Sequence, residues 1–202
     1  MTELTLYTNP QSRGAIARWM LEEVGQPYTA VPLAYGPEMH SPAYLALNPM
    51  AKVPTLTHGG HVVTECAAIC AYLADAFPEA GLAPANRAAC YRWLFFGAGP
   101  LEAAVTNRAL GIEIPAEKRG FVGYGHFDLV IATLEGALAR SPYIAGDSFS
   151  AADVYVGAQI GFAMQYNGIP AKPAFTAYWD RIKDRPARAR AAAADAALMA
   201  QA

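Results

Sequence analysis

The first part of the chain alternates between two periodicities. Residues 4–7 alternate as a short strand, and the segment 9–12 then breaks the pattern and supplies residues that favour the start of a helix. A helix is predicted over residues 13–24, where Gly25 and Pro27 end it, and residues 28–33 are predicted to form a second strand. Because a helix separates these strands, we expect them to run parallel, as in a βαβ unit.

A second group of elements follows before any break in periodicity. The pattern predicts a short helix over residues 42–47, a hairpin of strands 55–57 and 61–63 around Gly59 and Gly60, and an amphipathic helix over 65–77. The order βαβ, helix, ββα closes a small four-stranded sheet. We therefore predict an α/β N-terminal domain.

Residues 78–86 carry two prolines and a glycine and interrupt all periodicity, which is typical of a linker. No strand pattern follows, and helices are predicted over 87–110, 116–140, 150–167 and 174–185. Ser150 and Asp153 form a variant capping box at one helix start. For the Ala-rich segment from Pro186 to about Met199, a packed terminal helix and a frayed end both remain open. The predicted division is an α/β domain over 1–78, a linker over 79–86 and an all-α domain over 87–202.

Composition narrows the class of protein. Hydrophobic residues make up 54% of the 202 residues and charged residues 16%, a balance typical of a globular protein. The net charge of −2 provides no global field that would favour nucleic acid or an anionic membrane. The start of the chain lacks a leader pattern and no apolar run reaches about 18 residues, so we expect a cytoplasmic protein. The three cysteines form no CxxC motif, which argues against a disulfide framework and structural zinc, and Cys70 is predicted to be buried.

Two short segments carry the candidate chemistry. Val53 precedes Pro54, so its backbone is biased toward an extended conformation that can pair with a ligand strand, and the bond between them is a candidate for the cis form. An ordinary edge strand ended by proline is the alternative. Glu65 and Cys66 place a carboxylate and a small polarisable side chain at a helix start. Together the segments indicate a site that holds a peptide by its backbone and charged ends.

Several motifs taken jointly resemble those of the cytosolic glutathione S-transferases, over essentially the whole chain. They are Leu6-Tyr7 with Ser12-Arg13, Leu47-Asn48-Pro49, the segment from Lys52 to Leu56, the segment from Thr64 to Ile69 with Tyr72-Leu73, and the segment from Ser150 to Asp153. The resemblance is to a theta- or beta-like, serine-type or atypical class. It implies a thioredoxin-like N-terminal domain followed by an all-α C-terminal domain, and a homodimer. It also implies glutathione as co-substrate, a small hydrophobic electrophile as second substrate, a detoxification role and no metal.

The resemblance also assigns binding roles to individual residues. Val53 and the cis Pro54 match the positions that pair with the cysteinyl unit of glutathione. Glu65 and Cys66 match the pair that receives the γ-glutamyl end, where the family usually has serine and where a thiol is a poorer donor than a hydroxyl. Lys52 and His40 match positions that contact the glycyl carboxylate.

The group that stabilises the glutathione thiolate is a separate question. A free thiol titrates near about 8.5, and lowering its pKa by two units requires about 2.7 kcal/mol of differential stabilisation. One hydroxyl donor aided by a helix N-terminus can supply this amount. Ser12 matches the serine of theta-like enzymes and is the predicted catalytic residue, although it could instead cap the helix. Tyr7 and Asn9 are alternative donors, and Arg13 could add positive charge near sulfur or merely begin the helix.

Three functions remain open at this point. Conjugation of glutathione to an electrophile is favoured because the predicted glutathione-binding residues occur together with the Ser12 hydroxyl as a donor. Glutathione-dependent isomerisation or disulfide exchange is the second, although no cysteine precedes Cys66, which disfavours exchange. A non-catalytic binding module of the same fold is the third, and Cys66 in place of serine is the feature that favours it.

Overall fold

The structure, a computed structural model, describes residues 3–200. By its internal packing the described chain divides into two compact units, one formed by residues 3–82 and 185–200 and the other by residues 83–184. No helix of the described part of the chain is long and apolar enough to cross a membrane.

The first unit is built on a four-stranded mixed sheet with the order β2-β1-β3-β4. Its strands are β1 (Leu4–Thr8), β2 (Thr29–Pro32), β3 (Thr55–His58) and β4 (His61–Thr64), and its first helices are α1 (Gly14–Val24), α2 (Pro42–Leu45) and α3 (Cys66–Ala76). β1 pairs parallel with β2 and antiparallel with β3, and β3 pairs antiparallel with β4. The predicted βαβ-helix-ββα order and the parallel first pair are confirmed. This is a thioredoxin-like arrangement.

Local sequence explains why α1 and the sheet form where they do. Leu4 and Leu6 are buried in β1, one of the two inner strands, while α1 contributes Trp19, Met20 and Leu21 to the same core. The helix ends at Gly25, whose φ of 74° lies in the left-handed region that glycine adopts without steric cost. Burial of this apolar face stabilises α1 against the sheet, so the turn that precedes the helix is held at a fixed place.

The second unit is helical in its regular structure, as predicted. Its α-helices are α4 (Arg87–Phe96), α5 (Glu102–Ala109), α6 (Phe127–Leu138), α7 (Ala151–Gln165) and α8 (Pro173–Ile182). The capping box at the start of α7 is confirmed, because the Ser150 side chain and Asp153 cap each other's backbone N–H groups. Asp153 is fully buried and anchors the start of this helix.

Two of the predicted long helices are not continuous in the structure, so their predicted extents are wrong. The expected helix over 87–110 is interrupted by a π-helical segment, Gly97–Leu101, which contains Pro100. Proline has no N–H to donate, so it disturbs the regular hydrogen-bond pattern of an α-helix at this point. The expected helix over 116–140 is in fact a 3₁₀ segment, Ala116–Phe121, separated from α6 by a turn in which Gly125 has a φ of 68°.

The Ala-rich segment forms a packed helix, α9 (Pro186–Met199), which resolves the alternative left open by the sequence. It lies against α1, where the Arg18 guanidinium donates to the Asp195 carboxylate at 2.7 Å with both side chains buried. Arg185, directly before α9, makes a two-pronged contact with Glu23 at 2.6 and 2.7 Å. The sequence-based division counted this segment with residues 87–202, whereas its packing groups it with the first unit.

Candidate functional site

Strand register brings three separate segments to one edge of the sheet. Tyr7 near the end of β1 pairs with Thr55 at the start of β3, and Thr55 pairs in turn with Thr64 at the end of β4. The turn that follows β1, the Val53-Pro54 segment that precedes β3 and Glu65 after β4 therefore meet at this edge. The sequence-predicted residues of these three segments are brought together by the topology of the sheet.

The Val53-Pro54 peptide bond is cis, as the sequence suggested. Val53 is half-buried, and among residues 3–200 neither its backbone N–H nor its C=O forms a hydrogen bond. A backbone N–H and C=O left unpaired at the end of a sheet are suited to pair with an extended peptide from outside.

A buried polar network holds the backbone just before Val53. The Tyr44 hydroxyl donates to the Lys52 carbonyl, and the Asn48 amide donates to the same oxygen at 2.8 Å. Both side chains also contact the hydroxyl of Thr55, at 2.9 and 3.2 Å. Burial raises the pKa of Tyr44 and outweighs the hydrogen bonds with Thr55 and Asn48, which lower it, so this hydroxyl remains a donor. The network fixes the edge that Val53 presents.

Glu65 and Cys66 begin α3 in a specific backbone conformation. Glu65 is exposed and has a φ of 67°, in the left-handed region that a residue with a side chain rarely adopts. Its side chain does not cap α3, and the N-terminus of a helix carries the positive end of its dipole, which favours anions. Cys66 is 7% exposed, and its thiol donates to the Arg13 carbonyl with an S···O distance of 3.4 Å. This contact joins the start of α3 to the start of α1.

Ser12 lies half-buried in the turn before α1. Its hydroxyl donates to the Asn9 carbonyl at 2.6 Å and accepts from the Gly14 N–H at 2.9 Å. The hydroxyl therefore satisfies a backbone N–H of the first helical turn, as the capping alternative expects. Arg13 follows with an exposed side chain.

The other predicted residues have individual partners. The Asn9 amide donates to the Leu33 carbonyl at 2.8 Å, while its oxygen accepts from the Gln11 N–H at 2.9 Å, so both ends of this side chain brace the turn. Tyr7 is half-buried, with its ring centroid 5.8 Å from that of Tyr44. His40 is exposed, and its Nδ1 lies 2.8 Å from the Gly36 carbonyl.

Direct contacts join only some of the predicted residues. Within the described part of the chain, hydrogen bonds link Asn9 with Ser12 and Arg13 with Cys66. Sequence reasoning missed Tyr44 and Asn48 as supporting residues. Two features of the sequence could have indicated them. They are the aromatic residue in the predicted 42–47 helix and the Asn48-Pro49 pair just before Val53 and Pro54.

Comparisons with known proteins agree with this architecture. A family model described as the N-terminal domain of glutathione S-transferase matches residues 2–75. Glutathione S-transferase 3 of Zea mays is 30% identical over 211 aligned residues, covering 96% of this chain and 95% of the relative. A sphingomonad glutathione S-transferase solved in complex with glutathione has a TM-score of 0.75 and 30% identity, covering 95% of this chain and 98% of its own. A theta-class enzyme from Xanthomonas axonopodis pv. citri, with glutathione bound, has a TM-score of 0.73 and 28% identity, with 95% and 98% covered.

Proposed function

Because the chain belongs to the cytosolic glutathione S-transferase family, we propose that it binds glutathione at this sheet edge and activates its thiol for attack on a small hydrophobic electrophile. The observation that carries the proposal is the 3.4 Å contact between the Cys66 thiol and the Arg13 carbonyl. It joins the peptide-binding segments to the turn that holds Ser12. Together with the register that pairs Tyr7 with Thr55, it supports a position near that hydroxyl for the thiol of glutathione held at Val53.

The proposed binding roles follow from charge and hydrogen-bonding capacity. Val53 offers an N–H and a C=O to the cysteinyl unit, in the manner of an added strand. Glu65 offers a carboxylate to the γ-glutamyl ammonium, and the N-terminus of α3 at Cys66 receives the neighbouring carboxylate. The exposed Lys52 supplies a cation to the glycyl carboxylate, with His40 as a further contact.

The proposed chemical step is activation of sulfur. The Ser12 hydroxyl turns its proton from the Asn9 carbonyl to the thiolate, and the N-terminus of α1 adds positive potential at the same place. Arg13, whose side chain is exposed beside Ser12, adds positive charge to the field around sulfur. The thiolate then attacks the electrophile, a carbon–sulfur bond forms, and the leaving group or the adjacent double bond takes the electron pair. We extend the proposal to a cytoplasmic homodimer that acts in detoxification, with no nucleic acid or membrane as partner.

Calorimetric titration with glutathione tests the binding part of the proposal. We expect binding by the native protein, and a loss of about 1.5–3 kcal/mol in Glu65→Ala if a charged hydrogen bond is removed. Glu79→Ala is the matched control, because Glu79 is also exposed but follows the far end of α3. Equal affinity in the native protein and Glu65→Ala would remove Glu65 from the site, and no binding by the native protein would contradict the proposal as a whole.

Turnover assays separate conjugation from the two alternatives. Incubation with glutathione and an activated aryl halide should release halide and form a thioether, whereas a glutathione mixed disulfide should be reduced much more slowly. Conjugation slower than disulfide exchange would favour an exchanger instead. Tight glutathione binding without either reaction would indicate a binding module.

A further inference from the structure

The turn between α2 and Val53 contains a residue in a backbone conformation that its side chain disfavours. Ala51, two residues before Val53, has a φ of 53°, which lies in the left-handed region. Alanine prefers the right-handed over the left-handed conformation by a factor of about 5 to 30. Such a conformation persists only where neighbouring contacts hold it, and it is found especially at ligand-binding positions.

Asn48 supplies contacts that hold this turn. Its backbone carbonyl accepts from the Ala51 N–H at 3.0 Å, and its side-chain oxygen accepts from the Met50 N–H at 3.1 Å. Its side-chain NH₂ group donates to the Lys52 carbonyl at 2.8 Å. Asn48 therefore holds the backbone both before and after Ala51.

Asn48 is itself anchored to two elements of the first unit. It is 4% exposed, and its backbone N–H donates to the Tyr44 carbonyl in α2 at 2.8 Å. Its side-chain NH₂ group also contacts the hydroxyl of Thr55, the first residue of β3, at 3.2 Å. These anchors belong to the protein alone, so the turn is held in its left-handed conformation before any ligand binds.

We propose that Asn48 is a positioning residue for glutathione: by holding Ala51 in the left-handed conformation, it fixes the backbone that leads to Val53. The inference rests on the proposed function, since it requires glutathione to bind at Lys52 and Val53. The apparent affinity of a ligand falls in proportion to the fraction of molecules that hold the binding conformation, so a turn fixed in advance increases it. Asn48 acts on the segment that binds the peptide and not on sulfur, so the bound thiol should keep its pKa without it.

Calorimetric titration of Asn48→Ala with glutathione tests this role. Without the side-chain amide the turn can leave the left-handed conformation, so we expect the Kd to rise about 5- to 10-fold. The Tyr44 hydroxyl still donates to the Lys52 carbonyl, which limits the loss. At saturating glutathione, the thiolate absorbance titrated against pH should give the native pKa. Asn86→Ala is the matched control, because the Asn86 side chain also accepts from a backbone N–H but does so at the start of α4.

Recovery of affinity by glycine at position 51 separates this role from a general loss of stability. Glycine adopts the left-handed conformation without steric cost, so adding Ala51→Gly to Asn48→Ala should lower the Kd again by about threefold. Ala46→Gly in the same background is the control. It makes the same substitution at a residue whose φ is −66°, in the right-handed region, and should recover no affinity.

The possible outcomes separate this inference from the proposed function. If the native protein binds glutathione, the inference is overturned by native affinity in Asn48→Ala, by a raised thiol pKa in its saturated complex, or by no recovery with Ala51→Gly. If the native protein does not bind glutathione, the proposed function fails and the inference fails with it.

A second variant covers the case in which Asn48→Ala does not fold, as judged by circular dichroism. Ala51→Val keeps Asn48 and places a β-branched side chain in the left-handed region, which such residues strongly disfavour. Its Kd for glutathione should also rise about 5- to 10-fold. Native affinity in Ala51→Val would equally overturn the inference.

Discussion

Removing the carboxylate of Asp153 should destabilise the helical unit more than any single hydrogen bond there would suggest. This side chain is fully buried and accepts four hydrogen bonds. The donors are the Ile144 N–H at 2.8 Å, the Ser150 N–H at 2.9 Å, the Ser150 hydroxyl at 2.8 Å and the Tyr178 hydroxyl at 2.8 Å. The carboxylate therefore joins the start of α7 to α8 and to the loop before α7.

The magnitude follows from what Asp153→Ala would leave behind. Two buried backbone N–H groups and two side-chain hydroxyls would lose their acceptor, at about 1 kcal/mol or more each. We expect a total loss of about 3–5 kcal/mol in the free energy of unfolding, which is large for a single substitution. Tyr178→Phe removes one of the four donors and leaves the other three paired, so it should cost about 1 kcal/mol.

Urea unfolding, followed by both tryptophan fluorescence and circular dichroism, measures these differences. Coincident transitions with the two probes are required before a single free energy is assigned to a chain with two units. The free energy of unfolding of Asp153→Asn should fall between those of the other two variants. Its amide oxygen still accepts from some of the donors, whereas its NH₂ group faces the rest. An Asp153→Ala protein that is no less stable than Tyr178→Phe would refute the idea that this carboxylate organises the helical unit.

Two further predictions concern the first unit. Cys66→Ser should leave glutathione affinity equal or increase it, because a hydroxyl donates better than the thiol that now contacts the Arg13 carbonyl. Calorimetry measures the affinity, and a clear loss would show that the thiol itself is required. Asp195→Ala should lower the free energy of unfolding by about 3–5 kcal/mol because it leaves Arg18 buried and charged without its partner, whereas replacing both with Leu and Met should be nearly neutral. Urea unfolding of the single and double variants checks this, and equal losses in both would contradict it.

The sequence predicted the α/β unit well because its signals are local. Strand alternation, the Gly59-Gly60 turn and the helix between the first strands determine the sheet order, and the sheet order alone brings Val53 near Glu65. Proline chemistry likewise indicated the cis bond before Pro54. In these cases each residue's preference and the final fold agree.

The features that the sequence did not predict depended on interactions between distant residues or on local exceptions to a periodic pattern. Pro100 sits inside an otherwise helical apolar pattern, and the pattern alone does not show that the backbone widens to a π-helical segment there. The docking of α9 depends on the pair of Arg18 and Asp195, which are 177 residues apart. An Ala-rich segment offers no periodic signal for such a contact. The network of Tyr44 around the Lys52 carbonyl was also missed, because an aromatic residue in a short helix is usually interpreted as ordinary packing.

The pH titration of the thiolate absorbance of bound glutathione, compared between the native protein and two variants, tests the central claim most directly. If Ser12 stabilises sulfur, the native complex has a thiol pKa well below the free value of about 8.5. Ser12→Ala should then raise that pKa and slow conjugation at neutral pH, while Tyr7→Phe leaves both nearly unchanged. A pKa raised by Tyr7→Phe and not by Ser12→Ala would assign the chemistry to the tyrosine and reduce Ser12 to a helix cap.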